Sequence, residues 1–190
     1  MKHVCSALLG AALFCSLSLC QAADDVKPLE PLPALPPLAE GSASIVYKSD
    51  GDGMIVDYAT TTEAETCKDL EPVGRVFAAE LLRKKLLGFV ARTVEKSNRL
   101  LKAYPQVDTT VDAAKPLQIR GYSSYSSSNG PFRSNGSCGP LTQRFTPQSQ
   151  HRYQVVFNFV GGGCEQTVSD VTMAEQPVAV EVERLVCAKP

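Results

Sequence analysis

"CGPLTQRFTPQSQHRYQVVFNFVGGGC", residues 138–164, begins and ends on a cysteine. Inside it Tyr153, Val155, Phe157 and Phe159 fall on alternate positions, the period of a strand with one face turned to a core. The spacing predicts a strand over Tyr153–Val160. Gly161, Gly162 and Gly163 then allow a sharp reversal, because glycine reaches positive φ without steric cost. A phosphate cradle would need a following lysine and the start of a helix, and neither is present. The stretch therefore reads as a β unit closed by a sulfur staple.

The ends of the chain set the compartment. "MKH" is positively charged, "VCSALLGAALFCSLSLC" is an uncharged apolar run, and "QAAD" offers small residues for cleavage, so residues 1–23 are expected to be a signal peptide cut after Ala22 or Ala23. The competing reading is lipidation at Cys20, although Leu19 occupies a position where a small residue is normal. Both place the protein outside the cytosol, in the periplasm or beyond, free or tethered to a membrane. Of the seven cysteines, Cys67, Cys138, Cys164 and Cys187 survive cleavage. Four thiols in an oxidising compartment make two bridges, with three possible pairings. The local unit favours Cys138 with Cys164 and Cys67 with Cys187, and chain entropy gives these loops about 3.5 and about 5 kcal/mol as upper values. A zinc site would want closely spaced cysteine pairs, and after cleavage His151 is the sole imidazole; no metal and no cofactor is expected.

Residues 24–40, "DDVKPLEPLPALPPLAE", hold five prolines and read as an extended linker. Residues 41–190 then form a single β-rich domain. "SASIVYKS" and "GMIVDYATT" around "DGD" predict a hairpin. Further strands are expected at Leu117–Gly121, around Gln166–Val171 and at Val178–Val186. One helix interrupts them, at about 79–104. There Leu82, Leu86, Phe89, Val90, Val94, Leu100, Leu101 and Tyr104 share one arc, Lys84, Lys85, Arg92, Glu95, Lys96, Arg99 and Lys102 the opposite one, and Pro105 stops the run. The fold class is thus α+β: mostly antiparallel sheet with one long amphipathic helix, stapled by disulfides.

Charge excludes nucleic acid, since the chain carries 19 basic and 20 acidic residues. The helix alone is strongly basic, which could turn it toward an anionic surface, or leave its lysines simply in water. "GYSSYSSSNGPFRSNGS", residues 121–137, has no periodicity and reads as a long loop with the composition of adaptable recognition surfaces. Tyr122, Tyr125, Phe132 and Arg133 are its candidate contact residues. Asn135 opens an "NGS" glycosylation acceptor. For catalysis, His151 could act as a base with a carboxylate to orient it, but no nucleophile motif accompanies it.

"CGP", "FTP", "YQVVF" and "VSDVT", in this order over roughly residues 115–187, resemble the C-terminal halves of small exported bacterial proteins and lipoproteins without assigned activity. The resemblance implies a disulfide-supported, β-rich periplasmic domain and transfers no catalytic residue. The expected role is non-catalytic binding in the cell envelope, the partner being an envelope protein or an anionic surface component. The alternatives are an inhibitor or immunity-type protein against a secreted enzyme, and a cell-wall hydrolase.

Overall fold

A computed structural model describes residues 36–52, 54–79, 84, 88–129 and 132–187, with the backbone alone described at 127–129 and 132–134. The expected leader and linker up to Leu35 lie outside the described residues, as do Leu82, Lys85 and Leu86. From Pro36 onward the chain is one compact unit, built on two sheets.

The first sheet runs β10 (Val178–Ala179), β9 (Gly163–Asp170), β8 (Arg152–Val160), β1 (Ser42–Asp50) and β5 (Val107–Asp112). The second runs β11 (Glu183–Leu185), β7 (Phe132–Phe145), β6 (Leu117–Asn129), β2 (Val56–Thr61), β3 (Glu71–Val76) and β4 (Ala103–Tyr104). Pairing is antiparallel except for β1 with β8 and β3 with β4. The period-two pattern decides what faces inward. Ala43, Ile45 and Tyr47 on β1 and Tyr153, Val155 and Phe157 on β8 are buried, in register as Ile45 beside Tyr153 and Tyr47 beside Val155. From the other sheet Val56, Tyr58, Val76, Leu117 and Ile119 join them in one core. The Tyr47 and Tyr58 rings meet between the sheets at 5.0 Å, and Tyr58 donates its hydroxyl hydrogen to the Lys48 carbonyl at 2.8 Å. Each such side chain contributes about 1.5–3 kcal/mol when fully buried.

Several expectations change. β1 and β2 are both strands, but they do not form a hairpin: β1 pairs with β5 and β8, whereas β2 pairs with β3 and β6. The "DGD" segment carries the chain from one sheet to the other. Residues 121–137 are no loop but the outer part of a long ribbon, in register from Ser123 opposite Cys138 to Asn129 opposite Phe132. Serines, glycines and asparagine on both faces hide the alternation, while ladder hydrogen bonds need only backbone. Val178–Val186 splits into β10 and β11, which join different sheets. The described helix, α1, is Gly88–Leu100. It ends at Lys102, whose φ of 56° leaves the right-handed region, and Ala103 and Tyr104 are already strand.

Both sulfur bridges form as the loop lengths favoured. Cys138–Cys164 joins β7 to β9, hence sheet to sheet, and Cys67–Cys187 joins the loop after β2 to the chain after β11. Beside the second bridge Gln118, fully buried, acts as a clamp. Its Nε2 donates to the carbonyls of Glu63 and Glu65 at 2.6 and 2.8 Å, and its Oε1 accepts from Cys67 N–H at 2.9 Å. Leu117 and Ile119 face the core, so Gln118 faces outward and is covered by the loop it holds. Gly161 and Gly162, with φ of 57° and 82°, turn β8 into β9 as their spacing predicted.

Candidate functional site

The same alternation puts Arg120 and Tyr122 on the outer face of β6. In the register of the sheet, Asp57 lies between Arg75 and Tyr122, and Ala59 lies beside Arg120. Small residues lower the surface at Ala59, Pro72 and Gly74, and the turn after α1 raises a wall at Leu101 and Lys102. The result is a groove of about 690 Å³, within the usual range of ligand sites.

Its electrostatics are uneven. Arg75 Nε donates to Asp57 Oδ1 at 2.6 Å and a terminal nitrogen donates to the Leu101 carbonyl at 3.4 Å. The ion pair is half-exposed and adds little stability, but it fixes the guanidinium against the wall. Arg120 is half-buried, and among the described residues it has no ion-pair or hydrogen-bond partner. Lys102 is exposed at the rim. Three cations therefore face one carboxylate, and that carboxylate is already engaged.

Of the four candidate contact residues, Tyr122 and Tyr125 have described side chains. Tyr122 lines the groove. Tyr125 instead lies over Gly136, where an added Cβ would come within 2.5 Å of the tyrosine ring, and it borders a second hollow with Met54 and Phe159. Both tyrosines edge a shallow depression with Ser124 and Asn135. Phe132 and Arg133 lie on β7 across from Asn129 and Ser128, with only their backbone described. Arg75, Lys102 and Arg120 were not singled out from the sequence, although "LQIRGY" already places Arg120 and Tyr122 opposite Leu117 and Ile119.

His151 does find a carboxylate. Its Nδ1 is 2.5 Å from Asp170 Oδ2, and its ring stacks beside Tyr153 at 6.2 Å between centroids. Desolvation works to raise the Asp170 pKa, but hydrogen bonds from Thr172 and His151 outweigh it and hold the carboxyl below the ordinary range. Among the described residues no hydroxyl or thiol is hydrogen-bonded to the ring. Nor do three or more His, Cys, Asp or Glu side chains come together there as a metal site. No protein-family model matches this chain, and no curated protein matches it.

Proposed function

We propose that the chain is an exported protein of the cell envelope, that its role is binding without catalysis, and that the groove over β2, β3 and β6 holds an anionic group of its partner. The carrying observation is Arg120: a half-buried guanidinium with five donors and no acceptor among the described residues, set beside Tyr122 and two further cations. A planar guanidinium fork suits a carboxylate or phosphate, and Tyr122 offers a rigid flat surface at low entropic cost.

Two disulfides suit an oxidising compartment, and among the described residues no helix is long and apolar enough to cross a membrane. Attachment, on this reading, is peripheral or through a lipid on Cys20. The decisive experiment places a photo-cross-linking residue at Tyr122 in living cells and identifies the products by mass spectrometry. An envelope component carrying an anionic group is expected, and Arg120→Glu is expected to abolish its capture. Capture undiminished in Arg120→Glu would refute the groove as the binding site.

A further inference from the structure

The helix exposes apolar side chains where a soluble domain would bury them. At 100° per residue Phe89 and Leu100 sit at the border of the apolar arc, beside Lys96, Arg92 and Arg99 of the basic one, so that the five span about 100° of α1, while the buried Ala91 and Asn98 lie on the far side. Phe89 is 67% exposed and Leu100 80%, and Leu101 beyond the helix end is 50% exposed. Eleven residues separate Phe89 from Leu100, about 16 Å along the axis. The surface between them carries Arg92, Lys96 and Arg99, and Lys102 follows. Glu95 is the one acid of this helix, and it pairs with Arg99 at 3.1 Å. Arg92, an exposed residue, donates Nε to the Gly88 carbonyl at 3.1 Å.

We infer that this arc docks the domain on an anionic lipid surface. Cations alone would suit any polyanion, but a polyanion in water has no use for an outward phenylalanine and leucine. A protein interface would gather its apolar residues into a core from which lysine is depleted. Phe and Leu interspersed with Lys and Arg along one helix face match the boundary between headgroups and acyl chains: rings and branched chains enter the boundary while cations meet phosphates. Leu101 and Lys102, just past the helix end, belong to the groove wall, yet the docking is separate from the groove: it uses α1 and does not require Arg120.

The test uses the full chain as recovered from cells, with its disulfides intact, and two kinds of vesicle: mixed phosphatidylglycerol and phosphatidylcholine, and phosphatidylcholine alone. Cosedimentation is expected with the anionic vesicles, weakened by salt, and not with the neutral ones. The double variant Phe89→Ser with Leu100→Ser is expected to lower partitioning by about tenfold or more, as is Lys96→Glu with Arg99→Glu. Arg120→Gln is expected to leave it unchanged, which separates this inference from the groove reading. Because the chain holds no tryptophan, Phe89→Trp supplies a second readout in a protein changed at one position. Its emission is expected to shift to the blue on anionic vesicles. Equal binding to neutral vesicles, a silent Phe89/Leu100 variant, or a reporter that stays in water while the protein sediments would each overturn the inference.

Discussion

Gln143 on β7 and Gln166 on β9 join the two sheets through their side chains. Gln166 Nε2 donates to Gln143 Oε1 at 3.1 Å, and Gln143 Nε2 donates to the Gln166 carbonyl at 2.8 Å. Both residues are 5% exposed, so neither amide can turn to water if its partner is lost. Gln166→Leu leaves Gln143 Oε1 without its donor and Gln143→Leu leaves the Gln166 main-chain carbonyl without that donor, each at about 1–3 kcal/mol, whereas replacing both with leucine removes the two side-chain amides together. Gln166→Leu and Gln143→Leu are therefore expected to destabilise singly, and the double variant by less than their sum. Urea denaturation of the four proteins measures the coupling; simple additivity would show that the two amides act independently.

The bridge Cys138–Cys164 lies along the same sheet-to-sheet contact and closes 26 residues of chain. Removing it as Cys138→Ala with Cys164→Ala is expected to cost about 2–4 kcal/mol. Cys67–Cys187 spans 120 residues, and its loss is expected to cost more. Thermal unfolding of the two double variants gives the order. Alkylation of any of these four sulfurs in the native, unreduced protein would contradict the bridge to which it belongs.

The strand Tyr153–Val160 was legible because one of its faces is apolar throughout, and the disulfide pairing because Cys138 and Cys164 bracket that strand and its turn. The ribbon beyond Tyr122 was not. Past Ser123 the sequence is mostly Ser, Gly and Asn, and Tyr125, Phe132 and Arg133 are too sparse to show an alternation. Alternation in "SASIVYKS" revealed a strand but could not reveal its partner, which lies more than a hundred residues away in β8. The same distance effect hid the groove. Arg120 and Tyr122 share a face by local periodicity, but their meeting with Arg75 and Leu101 depends on the long-range order β6, β2, β3.

Gly121 on β6 lies against residues of the other sheet. A Cβ added there would lie 2.5 Å from Gln166 Oε1 and 2.7 Å from a Phe157 ring carbon. Phe157 is fully buried, so its ring cannot yield without moving the core. Gly121→Ala is expected to lower stability by about 1–3 kcal/mol despite alanine's better backbone entropy. Gly162→Asn provides the contrast: nothing lies within 4 Å of an added Cβ there, and Asn tolerates its φ of 82° better than other residues do. Its effect is expected to be smaller, and a reversed order in chemical denaturation would remove close sheet contact as the reason for Gly121.

Asp170 gives the fold a dependence on acid. Although desolvation opposes it, the carboxylate accepts hydrogen bonds from Thr172 and His151 and its pKa lies below the ordinary 3.8. A carboxyl whose folded pKa is depressed stabilises the protein above its unfolded pKa, and that contribution disappears as pH falls through the folded value. Asp170→Asn is therefore expected to be less stable than the native protein at neutral pH and to converge with it as pH falls below about 4. The gap should be small, because the His151 and Asp170 side chains are 35% and 21% exposed and water screens them. Thermal unfolding of both proteins across this range decides the matter. Curves that remain parallel down to about pH 2 would mean that the negative charge of Asp170 is not what the fold uses, and that Asn makes the same bonds to Thr172 equally well.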